Sequence, residues 1–225
     1  HPGQSALFVA EEQTSGRGRL GRQWMSEQGT GLYLSLLIRP EIEPSKATLV
    51  TQIAAVAAAE AVEAVTGLAA QIKWPNDLIV EGKKVCGILA ELSAEMTAVN
   101  YLVVGIGINV NQSNFPEEIQ DKASSLLALS GRRIDRQTLL KEVVARFGHY
   151  LGALKDDEVL DRMHQVYRLK SATLGKEVRL LGKEERTARV LDITKEGELL
   201  VIYPNGEREH IHFGEVSVRG LDFYV

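Results

Sequence analysis

Apolar and polar positions divide the chain into three textures. Leu7 to Ala10 is a short apolar run that reads as a buried strand, and a polar, glycine-rich segment follows from Glu11 to Gly31. Leu32 to Ile38 reads as a strand stopped by Pro40. Ser45 is placed to N-cap a helix running to Gly67, with Leu49, Ile53, Ala57, Ala61 and Val65 on one stripe at i+4 spacing and Gly67 at C′. The middle of the chain is strand-like: Ile72 to Trp74, Leu78 to Val80, Val85 to Leu92 and Tyr101 to Val110, joined by short turns. Such links imply antiparallel neighbours, because a parallel crossover needs about a dozen residues. Asp135 starts a helix with Leu139, Val143, Val144, Phe147 and Leu151 facing inward, and a second helix spans Asp157 to Tyr167. From Gly175 the strands shorten to Val178–Leu181, Ala188–Ile193, Leu199–Tyr203, His210–Phe213 and Val216–Val218, with hairpin signals at Gly197 and Asn205-Gly206, which suggests a small barrel.

Composition narrows the class. Of 225 residues, 44% are apolar and 25% charged, and 26 basic against 30 acidic side chains give a net charge of −4. That composition excludes a disordered chain and a nucleic-acid binder held by bulk positive charge. No apolar run approaches the roughly 20 residues of a membrane span, so no membrane association is expected. The single cysteine, Cys86, cannot form an internal disulfide and suits a reducing cytoplasm.

The candidate chemistry lies in three segments. Gly16-Arg17-Gly18-Arg19-Leu20-Gly21-Arg22-Gln23-Trp24 formally matches G-x-G-x-x-G and nearly matches a P-loop. Both motifs must open a helix, whereas here a strand follows. Instead, three arginines share a flexible loop with no acid between Gln13 and Ser26, a local charge of +3 suited to closing over phosphate or carboxylate. On its own residues the segment is equally a solvated basic loop or an RNA-binding tract. Lys73-Trp74-Pro75-Asn76-Asp77-Leu78 sets a lysine at a strand end before a tight turn, where it can deliver a point charge to a reacting anion or simply snorkel. Gly105 and Gly107 lie two apart on one strand face and open it to a flat ligand, or mark a bulge. His210 and His212 share a face without a third metal ligand, Cys86 reads as core, and no Ser-His-Asp arrangement is present.

In this order and spacing, Glu11-Glu12-Gln13-Thr14-Ser15-Gly16-Arg17-Gly18-Arg19-Leu20-Gly21-Arg22, Lys73-Trp74-Pro75-Asn76-Asp77-Leu78, Gly87-Ile88-Leu89-Ala90-Glu91 and Gly105-Ile106-Gly107-Ile108-Asn109-Val110-Asn111 resemble the bacterial biotin–protein ligases (biotin–[acetyl-CoA-carboxylase] ligases). The resemblance covers nearly the whole chain. It implies an α+β fold: a class II aminoacyl-tRNA synthetase-like mixed sheet with helices on one face, plus a small SH3-like β-barrel. Residues 1–174 would form the biotin/ATP-binding catalytic domain, lacking its first strand, and 175–225 the C-terminal domain. The implied reaction makes biotinyl-5′-AMP and pyrophosphate from biotin and ATP, then transfers biotin to a lysine of a biotin carboxyl carrier protein. That carrier would be a domain of acetyl-CoA carboxylase or pyruvate carboxylase.

Lys73 and Arg19 are the implied catalytic residues. Gln13, Arg17, Gly18, Arg19, Lys73, Gly105 and Gly107 would bind biotin. Arg19, Arg22, Trp24, Lys73 and Asn109 would bind ATP or the adenylate. Mg²⁺ is expected with ATP, and a homodimer is expected as in family members. The family's ureido-contacting strand and the helix-turn-helix of many bacterial members lie upstream of where this sequence begins, so DNA binding is not expected of this chain. Two alternatives stand beside this reading: a lipoate–protein ligase of the same fold, and a nucleic-acid-binding module using the Gly-Arg loop.

Overall fold

The computed structural model describes residues 4–18, 21, 24, 26–182, 184–212 and 217–220. It is built on two antiparallel sheets. The larger has six strands: β1 (Ala6–Ala10), β2 (Leu32–Ile38), β3 (Gln71–Lys73), β4 (Asp77–Val80), β5 (Lys83–Ala94) and β6 (Val99–Ile108), in the order β1-β2-β6-β5-β4-β3. Every ladder between described strands is antiparallel, as the short links require, where the resemblance implied a mixed sheet. Two isolated parallel bridges join Ile72 to Ser171 and Lys84 to Ala123.

Helix α1 (Ala47–Thr66) packs against β3 to β6 and against α3 (Arg136–Gly152) and α4 (Asp157–Leu169). The expected stripe along α1 is instead continuous burial from Val50 to Ala59. Its many alanines let the sheet and the other helices approach from several sides. Gly67 closes α1 in the left-handed conformation, donating to Glu63 O at 2.8 Å. Ser45 is not the N-cap; it lies in a 3₁₀ turn (Pro44–Lys46) that precedes Ala47. The segment Pro44–Thr66 has the length and mean hydropathy (1.4) of a membrane span, contrary to the sequence expectation. Two-thirds of that window is buried inside the protein, as befits a core helix.

Asp135 caps α3 through Gln137 N and Thr138 N. Leu139, Val143 and Phe147 are buried, while Val144 and Leu151 are only partly so. A five-residue helix, α2 (Leu126–Ser130), escaped the sequence reading; Ser125 Oγ caps it by accepting from Ala128 N. β1 corrects another expectation. It is an edge strand, not a buried one: Leu7, Phe8 and Val9 are 41%, 61% and 49% exposed.

The second sheet contains β7 (Glu177–Leu181), β8 (Glu185–Ile193), β9 (Leu199–Ile202), β10 (Arg208–Ile211) and β11 (Ser217–Gly220), ordered β10-β9-β8-β7-β11. Phe213 and Val216, expected at strand ends, lie outside the described residues. The β8–β9 turn rests on α1, with Thr48 Oγ1 donating to Glu196 O and Gln52 Nε2 to Thr194 O. Arg168 of α4 pairs with Asp192 of β8 at 3.0 Å.

Candidate functional site

Strand alternation makes the site. Along β6, Leu102, Val104, Ile106 and Ile108 are buried, while Val103, Gly105 and Gly107 alternate with them on a less buried face. Register brings partners across: Gly107 stands opposite Gly87 of β5 and Tyr33 of β2, and Gly105 stands opposite Leu89 and Ser35. The β5–β6 register shift falls at Ser93/Ala94, so the two glycines are not a bulge. They line a cavity of about 970 Å³.

Trp24 lies on the Gly87/Gly107 pair. A Cβ on Gly87 would come within 2.9 Å of the indole, and one on Gly107 within 2.8 Å of its Nε1, so any larger residue there displaces the ring. The indole Nε1 is buried with no hydrogen-bond partner among the described residues. Lys84 Nζ stands 5.2 Å from the ring centroid and pairs with Asp77 at 2.6 Å. The Gly-Arg loop is pinched at its neck, where Trp24 N–H donates to Gly16 O at 2.9 Å. The approach is close enough that a Cβ on Gly16 would fall 2.3 Å from Trp24 O.

The cavity gathers Gln13, Arg17, Gly18, Trp24, Lys73, Gly105, Gly107 and Asn109, eight of the ten residues singled out in the sequence. The other two, Arg19 and Arg22, lie outside the described residues. Lys73, at the end of β3, is 4% exposed, which sets aside a snorkelling surface lysine. Arg17 pairs with Glu91 at 3.1 Å and ties the loop to β5. Gln13 Oε1 accepts from Ser26 Oγ at 2.7 Å. Asn109 is anchored rather than free to turn: its Nδ2 donates to Ser124 O at 3.1 Å and its N–H to Val85 O at 2.8 Å.

Sequence reading quoted Asp77 and Glu91 within its motifs without giving them a role, and missed Lys84 and the contribution of Ser217, Val218 and Arg219 from β11. Strand register and the packing of the second sheet bring these in, and neither leaves a signal in spacing. Cys86 is fully buried and its thiol is pushed up by burial, which fits core packing. His210 and His212 both contact Glu198, and no three metal-ligating side chains cluster among the described residues.

A glycine-floored sheet facing Trp24, Arg17 and a buried lysine fits a class of ligases. Residues 3–109 match the Biotin/lipoate A/B protein ligase family and residues 173–219 match the Biotin protein ligase C terminal domain. A biotin--[acetyl-CoA-carboxylase] ligase of Mycobacterium tuberculosis is 34% identical over 86% of this chain and 71% of that protein. The bifunctional ligase/repressor BirA of Bacillus spizizenii is 44% identical over 64% of this chain. The structure of the Aquifex aeolicus biotin protein ligase in complex with biotin and ATP superposes with a TM-score of 0.82 at 36% identity, covering 95% of this chain and 88% of that one. The chain therefore belongs to the biotin protein ligase family. It spans about half the length (45%) of the Bacillus relatives it matches.

Proposed function

We propose that the protein activates biotin with ATP to biotinyl-5′-AMP and transfers the biotin to a lysine of a carrier protein. The observation that carries this reading is one cavity lined by described residues of all four motif segments. In this reading Lys73 contacts the biotin carboxylate and the α-phosphate, together with Arg19. Gln13, Arg17, Gly18, Gly105 and Gly107 hold biotin, while Arg22, Trp24 and Asn109 order around the adenylate. Both steps run on positioning and charge stabilisation, so no protein nucleophile is required. Magnesium would enter on the ATP phosphates, as substrate. A class II synthetase-like catalytic unit over residues 1–174 and an SH3-like unit over 175–225 complete the proposal. The carrier would be the biotinyl domain of acetyl-CoA carboxylase or pyruvate carboxylase. A cytoplasmic location fits the lone buried thiol.

Biotin-dependent ATP–pyrophosphate exchange tests the first step. The full-length protein should catalyse exchange with biotin and not with lipoate; lipoate-driven exchange would favour the sister activity. Lys73→Ala should lower exchange by roughly two to three orders of magnitude, the scale of losing one charge-stabilising donor. Exchange within threefold of wild type would remove Lys73 from the chemistry.

A further inference from the structure

β3 is only three residues long, lies at the edge of the sheet, and ends in Lys73. So short an edge strand holds a side chain poorly by itself. Its free edge is stapled by the segment that joins α4 to the second sheet. Ile72 N–H donates to Lys170 O at 2.8 Å, and Ala172 N–H returns to Ile72 O at 2.9 Å. The residue after the lysine is held twice more. Trp74 N–H donates to the Oγ1 of Thr173, which is fully buried, at 3.1 Å. Its indole Nε1 donates to Gly197 O at 2.8 Å, in the turn between β8 and β9. That turn is fixed in turn: Gly197 has φ +86, and a Cβ there would meet Gln52 Nε2 of α1 at 2.8 Å.

We infer that Trp74 is a positioning residue for Lys73. The joining segment and the β8–β9 turn, although they belong to the second sheet and its tether, would thus be working parts of the activation step. The inference rests on the assignment of Lys73 to that step. Trp74 also lines the cavity, but both of its N–H groups are taken up by Thr173 and Gly197, so it acts by fixing the strand end from which the lysine reaches the cavity. A displacement of about 1 Å at such a group costs up to about 100-fold in rate.

Trp74→Phe keeps a ring in the site and deletes the bond to Gly197. In full-length protein it should lower the exchange kcat by roughly 10- to 100-fold, with KM for biotin and ATP within about threefold and a native circular dichroism spectrum. Thr173→Val removes the other tie and should act likewise, which keeps the test alive if one variant folds poorly. The deciding measurement is a double-mutant cycle. In a Lys73→Ala background Trp74→Phe should change the residual exchange by less than about twofold, because the group it positions is gone. The inference is overturned if Trp74→Phe leaves exchange within twofold of wild type, or if it lowers exchange by the same factor with and without Lys73. Wild-type protein that shows no biotin-dependent exchange would refute the activation step itself, which is a distinguishable failure.

Discussion

Trp24 occupies a space that opens only because Gly87 and Gly107 face each other across two strands. Its buried indole N–H has no partner among the described residues, an arrangement that costs about 1–3 kcal/mol. The ring thus gains from any ligand that offers an acceptor or lets it repack. The two floor glycines should therefore behave differently. Gly107→Ala forces the indole away, since the new methyl would stand 2.8 Å from Nε1, whereas a methyl on Gly105 meets only Leu89 O at 3.6 Å. Trp24 and Trp74 are the two tryptophans of the chain. Gly107→Ala should shift the tryptophan emission of the ligand-free protein, and Gly105→Ala should leave it unchanged while raising the KM for biotin. Equal emission spectra for the two variants would contradict the stacking. At this scale Lys73, Gly105 and Gly107 were legible because each sits inside a compact motif. Lys84 was not: its approach to Trp24 depends on strand register and on the folding-back of a loop about sixty residues upstream.

Between elements, the packing of α4 on the second sheet places one titratable group where acid should be felt. His164 is buried, and burial lowers the pKa of its imidazole below the ordinary 6.5. Arg168 and Lys195 push it the same way, against Asp192 and Asp161. The folded chain thus protonates His164 less readily than the unfolded chain, which takes up the proton near pH 6.5. Stability should rise with pH below about 6.5, where the unfolded state binds more protons, and this contribution should vanish above it. Urea midpoints measured at pH 5.5 and 7.5 should differ more for wild type than for His164→Gln; equal differences would rule out His164 as a contributor. The same element scale shows what patterning can reveal. α3 followed from Asp135 and the apolar residues facing inward behind it, and α4 was placed with its start at Asp157 and its end two residues short of Leu169. β1 was misread because an apolar run signals a strand without saying whether both of its faces find partners. The position of α1 among several neighbours likewise turned an expected stripe into burial on nearly every side.

Across the whole molecule, a net charge of −4 coexists with a segment carrying three arginines, of which Arg17 lines the cavity, and the two sheets meet through α1, α4 and the β8–β9 turn. Antiparallel pairing of consecutive strands was readable from short links, whereas the pairings of β2 with β6 and of β7 with β11 were not. The meeting of the halves was not, because it depends on hydrogen bonds between residues more than a hundred positions apart, such as Trp74 to Gly197. The sheet edges carry the last consequence. Among the described residues β1 pairs with β2 alone, and its Leu7, Phe8 and Val9 are exposed. An apolar edge of this kind is a ready template for a further strand, and it is the edge on which the homodimer expected from the sequence would form. A lysine placed on such an edge disfavours pairing without disturbing the core. Phe8→Lys should therefore keep the full-length protein monomeric in sedimentation velocity with biotin and ATP present, where the wild type should sediment as a dimer. Exchange activity should be retained, since Phe8 is not among the residues lining the cavity. A wild type that stays monomeric under every ligand condition would remove the dimer, and a Phe8→Lys protein that still dimerises would move the interface away from β1.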